Sequence, residues 1–155
     1  MKIAVGTDHG GFELKKGLIR ELKSLGYSVQ DMGTFSPAPC DYPLIGAKVA
    51  RAVSRGSANR GLLLCRSGAG MAIVANKFPG VRAAVCQTVS AATHAREHND
   101  ANVLVLGADQ LNLPRSKAIL KAWLATAFAG GRHARRVHQI ELIERKIARE
   151  KCSNT

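Results

Sequence analysis

Two hydrophobic patterns alternate along this chain. Five short, nearly continuous apolar runs are typical of strands that are buried on both faces. These predicted strands lie at residues 2–7, 27–32, 61–65, 81–86 and 102–106. Between them, apolar residues recur every three or four positions, which is the period of a helix that packs on one side. The predicted helices lie at about 12–25, 44–55, 69–78, 89–98, 114–128 and 134–150.

Strands that alternate with helices through short connections predict a parallel sheet covered by helices on both faces. The predicted fold class is therefore α/β: a three-layer α/β/α sandwich around a Rossmann-like, five-stranded parallel sheet. The chain has 155 residues, 46% of them hydrophobic, without a linker or repeat, so residues 1–155 should form one domain. The last helix, 134–150, carries an apolar stripe that docks either on the chain's own core or on a partner subunit. The stripe consists of Val137, Ile140, Ile143 and Ile147.

The formal net charge of +12 raises the question of nucleic-acid binding. The basic residues are spread along the sequence, however, and only 5% of the residues are aromatic, which leaves few platforms for base stacking. We therefore expect no nucleic-acid partner, and interpret the charge as a solvated basic surface or as a means of steering small anionic substrates. No apolar run approaches the roughly 18 residues that a membrane span needs, so we also expect no membrane partner.

The four cysteines, at positions 40, 65, 86 and 152, show neither a Cys-x-x-Cys spacing nor a disulfide framework. Because reduced thiols are typical of the cytoplasm, we expect a cytoplasmic protein. The N-terminal residues lead directly into the first strand, and we expect no signal peptide.

Open parallel sheets bind ligands at the carboxyl ends of their strands, and Cys65 stands at such an end. It is followed by the glycine-rich turn 66–70 and the start of a helix, an arrangement that suits a phosphate or a developing oxyanion and favours a thiolate. The alternatives are structural: strand-end cysteines often only pack, and glycines also let a strand and a helix approach closely. Ile73 replaces the third glycine of a dinucleotide fingerprint, which argues against a nucleotide.

Two other strand ends carry candidates. Asp8 and His9 follow the first strand, either as turn residues or as part of a site. Cys86 ends the fourth strand without a glycine turn, and we interpret it as a core residue.

Two pairs of residues on predicted helices are also candidates for binding a ligand. His94 and His98 are four residues apart and share a helical face, as metal ligands often do, but no third ligand is evident, so we predict no metal site. Arg132 and Arg136 lie one helical turn apart and can grip a phosphate together. The alternative for this second pair is an ordinary basic helix start.

Six motifs occur in order over nearly the whole chain. They are Gly6-Thr7-Asp8-His9-Gly10-Gly11, Asp41-Tyr42-Pro43, Cys65 with Ser67-Gly68-Ala69-Gly70, the segment 75–82, the segment 97–104, and Gly130-Gly131-Arg132-His133. In this combination the chain resembles the type B ribose-5-phosphate isomerase family, which also includes galactose-6-phosphate and allose-6-phosphate isomerases.

The resemblance implies a metal-free, cofactor-free aldose–ketose isomerase of the pentose phosphate pathway that interconverts ribose 5-phosphate and ribulose 5-phosphate through an enediolate. It implies a homodimer or a dimer of dimers, with each active site shared between two subunits. Cys65 would be the base, and the backbone at 66–70 would hold the enediolate oxygen, with Ser67 where the family usually has threonine. His98 of the partner subunit would open the sugar ring, assisted by Asp8.

The same resemblance implies a set of substrate-binding residues. They are His9, Tyr42, Gly68, Ala69, Gly70, Asn99, Arg132 and Arg136. Of these, His9 and the two arginines at 132 and 136 would bind phosphate, and Asn99 a substrate hydroxyl. Arg66 is predicted as a further substrate-binding residue because it could replace an arginine that the family commonly has at position 109.

Two positions depart from the family pattern. The family commonly has an arginine that contributes to phosphate binding at position 109, where this chain has Asp109, and a small residue at position 66, where this chain has Arg66. We expect Arg66 to pair with Asp109 or to replace the lost arginine. Because of these two positions, the substrate could be a tetrose, pentose or hexose phosphate, or a free sugar. The alternative from another functional class is a non-catalytic anion-binding domain.

Overall fold

The computed structural model describes residues 1–153, and within this range the chain forms five strands and six helices. The strands are β1 (Lys2–Thr7), β2 (Ser28–Asp31), β3 (Arg60–Cys65), β4 (Ala83–Val85) and β5 (Val103–Gly107). The helices are α1 (Phe12–Ser24), α2 (Tyr42–Ser54), α3 (Ala69–Ala75), α4 (Val89–Asn99), α5 (Leu113–Ala125) and α6 (Arg132–Ser153). A short 3-10 turn, His9–Gly11, joins β1 to α1.

The sheet is parallel throughout the described residues, with the strand order β2-β1-β3-β5-β4. Alternate residues of each strand point to opposite faces, and each face has its own core. Leu62, Leu64 and Leu104 pack with Trp123 beneath α1, α4 and α5. Leu63 and residues of the neighbouring strands pack beneath α2 and α3. The predicted three-layer α/β/α sandwich is therefore confirmed.

The observed boundaries correct three predictions. The helix predicted at 69–78 ends at Ala75, because the Asn76 side chain pairs with the backbone of Ala83, accepting its N–H at 2.8 Å and donating to its carbonyl at 3.0 Å. The strand predicted at 81–86 shrinks to Ala83–Val85, an edge strand whose only partner among the described residues is β5. The helix predicted at 114–128 ends at Ala125, where Thr126 turns to an extended backbone and its hydroxyl donates to the carbonyl of Ala122.

Helix α6 is longer than predicted and packs on its own chain over only part of its length. His133 and Val137, in its first two turns, are buried, whereas Ile140, Ile143 and Ile147 are about half exposed. These three isoleucines line a groove of about 420 Å³ together with Asn76 and Pro79. The apolar stripe thus begins on the core of this chain and continues over an open apolar surface. Docking of the exposed part on a partner subunit stays a prediction. No helix among residues 1–153 combines the length and the apolar character that crossing a bilayer requires.

Candidate active site

Three adjacent strands end together at what we call the carboxyl edge of the sheet. Thr7 of β1 is paired with Leu64 of β3, and Cys65 of β3 with Gly107 of β5. The pairing continues beyond the strands, where the Ala108 N–H donates to the Cys65 carbonyl at 2.8 Å. The loops after β1, β3 and β5 therefore lie side by side, where parallel sheets bind ligands.

The loop after β1 holds Asp8 and His9. Asp8 is buried, and its Oδ1 accepts the Gly10 N–H at 2.9 Å, so the carboxylate caps the 3-10 turn. The His9 Nδ1 accepts the Cys40 N–H at 3.3 Å. A neutral imidazole that accepts at Nδ1 carries its proton on Nε2, so His9 presents a donor on the opposite side of the ring. The turn role of Asp8 is confirmed, and its place beside Cys65 also suits a site.

The loop after β3 is built around a buried thiol. The Gly68 N–H donates to the Cys65 Sγ at 3.1 Å. Gly68 has a φ of 85°, a left-handed conformation that glycine adopts at little cost. The Ser67 Oγ accepts the Ala69 N–H at 3.3 Å. Simple packing of a cysteine does not require an N–H donor aimed at its sulfur.

Tyr42 lies against this loop from the first turn of α2. A Cβ on Gly70 would come within 2.6 Å of the tyrosine ring and 2.9 Å of its hydroxyl oxygen. The ring and the loop can therefore touch only because residue 70 is glycine. We call the group formed by Asp8, His9, Tyr42, Cys65 and the loop 66–70 the carboxyl-edge cluster.

Arg66 and Asp109 form an ion pair at the rim of this cluster. The Arg66 Nη1 lies 3.5 Å from the Asp109 Oδ1, with the two side chains 66% and 55% exposed. Backbone bonding holds the two positions together, since the Asp109 N–H donates to the Arg66 carbonyl at 3.0 Å. The Arg66 stem passes over Gly10, where a Cβ would come within 2.7 Å of the arginine Cγ. The pairing expected from the sequence is therefore confirmed, and Arg66 lies between Asp109 and the loop that carries His9.

Sequence reasoning missed Gln87, which supports the loop from the end of β4. Its Nε2 lies 3.5 Å from the Ser67 carbonyl, and a Cβ on Gly107 would come within 2.5 Å of the same nitrogen. The amide therefore lies directly over Gly107, which must lack a side chain to admit it. The sequence does contain a signal for this contact: Gly107 ends β5, and Gln87, a long polar residue, follows the neighbouring strand β4.

Cys86 differs from Cys65 although both lie at the carboxyl end of a strand, Cys65 as the last residue of β3 and Cys86 directly after β4. It is buried against the α1, α4 and α5 side of the sheet, and desolvation raises the pKa of its thiol to about 11. A thiol in that state remains protonated and unreactive near neutral pH. The prediction of Cys86 as a core residue is confirmed.

His98 and Asn99 lie at the opposite, amino edge of the sheet. They end α4, which begins at Val89 after the carboxyl end of β4 and runs back against the strand direction. Arg82, directly before β4, fixes this end of the helix through hydrogen bonds from its Nε to the carbonyls of Asn99 and Asp100, both at 3.1 Å. The ion pair of Arg82 with Asp100, at 2.9 Å, adds to the anchor.

Three histidines stack in parallel beside this helix end. The ring centroids of His94 and His98 lie 5.1 Å apart at an interplanar angle of 10°, and those of His98 and His133 lie 4.3 Å apart at 6°. We call this group the histidine column. Metal ligands point their nitrogens at a common centre, whereas these rings lie face to face, so the geometry does not support His94 and His98 as a metal-binding pair. No group of three or more metal-ligating side chains arranged to hold an ion is found among residues 1–153.

His133 is 8% exposed, and sequence reasoning quoted it in a motif without giving it a role. Desolvation lowers its pKa, and the charges of His98, Arg132 and Arg136 lower it further. Arg132 lies next to the column, with its Nε 3.4 Å from the His133 Nε2. Arg132 and Arg136 therefore belong to the amino edge, one turn apart at the start of α6, as their spacing predicts.

Within one chain the predicted site residues form two groups. The carboxyl-edge cluster contains Asp8, His9, Tyr42 and Cys65 with its loop. The second group, which we call the amino-edge cluster, contains His98, Asn99, Arg132 and Arg136. Helix α4, whose 11 residues span about 16 Å at 1.5 Å per residue, begins after the carboxyl end of β4 and ends at the amino edge, so the two groups lie at opposite edges of the sheet. A single chain does not bring His98 to Cys65, or the two arginines to His9.

Known proteins match this chain over almost its full length. The family model described as Ribose/Galactose Isomerase matches residues 3–140. Ribose-5-phosphate isomerase B of Escherichia coli strain K12 is 44% identical over 145 residues, which cover 94% of this chain and 97% of that protein.

Two solved structures are similar in both fold and sequence. The ribose-5-phosphate isomerase B of Clostridium thermocellum superposes with a TM-score of 0.93 at 48% identity, covering 95% of this chain and 99% of that one. The ribose-5-phosphate isomerase B of Mycoplasma genitalium, solved with bound ribulose 5-phosphate, superposes with a TM-score of 0.90 at 36% identity, covering 93% and 96%. The chain therefore belongs to the Ribose/Galactose Isomerase family, and the resemblance read from its motifs is confirmed.

Proposed function

We propose that this protein interconverts ribose 5-phosphate and ribulose 5-phosphate as an aldose–ketose isomerase. The observation that carries the proposal is the buried Cys65 thiol, which ends β3 inside a glycine turn whose Gly68 N–H donates to the sulfur at 3.1 Å. Isomerisation needs one base that serves two adjacent carbons, together with donors for the oxygen that becomes negative between them. The similarity to an isomerase solved with ribulose 5-phosphate supports this choice of substrate.

In the proposed reaction, the Cys65 thiolate removes the proton from C2 of the open-chain aldose. The electron pair of that bond forms the C1–C2 double bond, and the carbonyl oxygen on C1 takes the negative charge of the enediolate. A proton passes from the C2 oxygen to the C1 oxygen, and the thiol returns its proton to C1 to give the ketose. Amides of the loop 66–70 and the Ser67 hydroxyl stabilise the charged oxygen.

We further propose that each complete site combines the two clusters of different subunits, with His98 of the partner subunit opening the sugar ring. The position of the clusters at opposite edges of the sheet supports this, since neither is a complete site. The half-exposed Ile140, Ile143 and Ile147 of α6, beside an apolar groove, give a second copy a surface to cover. We propose a homodimer or a dimer of dimers.

In this assembly, His9 and the arginines of the amino-edge cluster bind the phosphate, and Asn99 binds a substrate hydroxyl. Asp8 assists ring opening, and Tyr42 lines the site beside Gly70. We propose the cytoplasm as the compartment, because the four cysteines are unpaired in the described residues and thiols stay reduced there.

A second candidate is an isomerase of another aldose phosphate. It is favoured by the Arg66–Asp109 ion pair, which puts a carboxylate at the rim of the site where the family resemblance implies a phosphate-binding arginine. Because Arg66 neutralises the Asp109 carboxylate, a phosphate can still bind at this rim. The exchanged charges change where the phosphate is held, and therefore which sugar fits.

The test is a kinetic panel of four-, five- and six-carbon aldose phosphates and the free sugars, measured with solvent deuterium incorporation at C2. Turnover greatest with ribose 5-phosphate supports the first proposal, and a clear preference for another chain length supports the second. Binding of sugar phosphates without deuterium incorporation or turnover would instead indicate a non-catalytic anion-binding domain.

A further inference from the structure

The histidine column contains two residues that the proposed reaction does not use, His94 and His133. His94 precedes His98 by one turn of α4, is exposed to solvent, and stacks on one face of the His98 ring. His133 of α6 stacks on the other face. His98 is therefore held between two aromatic rings that come from different helices.

We propose that His94 and His133 are positioning residues that fix the plane of the His98 ring for sugar-ring opening. The inference rests on the proposed function, because it assigns a role beside the group that opens the ring. Histidine χ2 is a broad torsion with weak intrinsic preference, so an unsupported imidazole at a helix end turns easily. Parallel rings on both faces oppose that rotation, because any turn of His98 loses the stacked contact on both sides.

The two neighbours hold the ring without occupying its edge. Face-to-face stacking covers the flat faces of an imidazole and leaves its nitrogens, which lie in the ring plane, directed outward. The nearest acid is Glu97, whose Oε2 lies 3.7 Å from the His98 Nε2. A ring-opening group must take a proton from one sugar oxygen and give one to another, so its nitrogens need a fixed direction.

The charged and titratable groups around His98 come from two helices. His94 and Glu97 face it from α4, and His133 faces it from α6. Behind His133, the charges of Arg132 and Arg136 act on that ring. The nearby cations and the burial of His133 both disfavour a charge on that ring. A neutral His133 stacks on His98 without repelling a proton that His98 carries during ring opening.

The chemistry of the substrates separates ring opening from proton transfer. Ribose 5-phosphate in solution is a furanose closed through its C4 oxygen, and it must open before C2 can lose its proton. Ribulose 5-phosphate is an open chain, because the C5 oxygen that would close a ketofuranose carries the phosphate. Exchange of the C1 proton of ribulose 5-phosphate with solvent therefore reports on enediolate formation without ring opening.

The experiment uses His94, because it is exposed and its replacement does not disturb the core. We compare His94→Ala, which removes the ring, with His94→Phe, which keeps a flat face of similar orientation. For each variant, kcat/KM for ribose 5-phosphate is measured beside the rate of deuterium exchange at C1 of ribulose 5-phosphate. We expect His94→Ala to lower the first by about two- to tenfold, the size of one aromatic pair, with the exchange rate unchanged and with recovery in His94→Phe.

Three results would overturn the inference. The first is an equal loss of both activities in His94→Ala, which would make His94 a residue of general structural importance. The second is no loss of either activity in His94→Ala, and the third is no recovery in His94→Phe. If the unmodified protein shows neither conversion of ribose 5-phosphate nor exchange with ribulose 5-phosphate, the proposed function itself fails, and that outcome is distinct from all three.

Discussion

The two edges of the sheet are built in different ways. At the carboxyl edge, three parallel strands end side by side, and short loops present Asp8, Cys65 and Asp109, each held by a hydrogen bond from a backbone N–H or through its own N–H. At the amino edge, the functional candidates stand on helix ends, and side-chain anchors such as Arg82 and the stacked rings hold them. The first edge is fixed by topology and backbone, the second by side-chain packing. Reactive chemistry is therefore expected at the first edge, and adaptable positioning at the second.

The sharpest way to test the comparison is to remove the thiol of the carboxyl edge. Cys65→Ala is expected to lower kcat by about a thousandfold, within the range that a general base contributes. The matched control is Cys86→Ala, which removes the buried thiol whose pKa is raised to about 11. Steady-state assays in both directions check the pair, and full activity in Cys65→Ala would show that the base is another residue.

The next prediction tests whether the carboxyl-edge cluster of one subunit and the amino-edge cluster of another form one active site. Cys65→Ala and His98→Ala are each expected to convert ribose 5-phosphate poorly, with about a hundredfold or greater loss. Unfolding and refolding an equal mixture should restore about a quarter of the wild-type rate, because half of randomly formed dimers are mixed and each mixed dimer has one intact site. A mixture no more active than its components would mean that both clusters act within one chain.

A smaller effect is expected at the rim of the carboxyl edge. The Arg66–Asp109 pair is exposed on both sides and contributes little to stability, so Arg66 can exchange its carboxylate for a phosphate. Arg66→Ala should raise KM for the sugar phosphate about tenfold, the value of one charge-assisted hydrogen bond. Asp109→Asn should leave KM equal or lower. An Arg66→Ala variant with an unchanged KM would exclude Arg66 from phosphate binding.

The smallest expected effect is on the pH dependence of thermal stability, and it comes from His133 at the amino edge. Burial of His133, reinforced by the charges of His98, Arg132 and Arg136, lowers its pKa in the folded protein. The unfolded chain then takes up the proton more readily, so stability falls as pH drops below the usual histidine pKa of about 6.5. Replacing His133 by Phe should reduce the loss of Tm between about pH 7.5 and about pH 5.5 by on the order of 2 °C.

The Tm values of the wild type and His133→Phe are compared only down to about pH 5.5, because Glu21 also affects stability at more acidic pH. Hydrogen bonds from Lys117 and Lys121 lower the pKa of Glu21, so its contribution to stability is lost only at more acidic pH. Thermal unfolding of both proteins down to about pH 5.5 therefore isolates the histidine. A His133→Phe protein with the same pH dependence as the wild type would contradict the assignment.

Much of the fold was predictable because its signals are local. Apolar runs predicted the strands, and their alternation with helical periods predicted the parallel sheet. Cys65 was found for the same reason, since a strand end followed by glycines defines a carboxyl-edge loop. The error at Ala75 came from one side chain, Asn76, whose pairing with the Ala83 backbone is a tertiary contact that periodicity does not encode.

The candidate site was predictable as a set of residues but not as an arrangement. Sequence motifs identify His98 and Arg132, yet nothing in their spacing tells which edge of the sheet they reach. Gln87 and His133 were missed because their roles depend on what lies next to them, a glycine in one case and a stacked ring in the other. The apolar stripe on α6 was likewise predictable but its contacts were not, since a helical period does not specify whether the stripe packs on the same chain or on another.

The incompletely covered face of α6 has a consequence for when this protein works. Under the proposed assembly, a newly made chain carries two half-sites and no whole one. At concentrations far below the dissociation constant of the pair, the number of complete sites grows with the square of the chain concentration. Dilution would then silence the enzyme without unfolding it, and the cell would obtain activity only once enough copies had accumulated to meet.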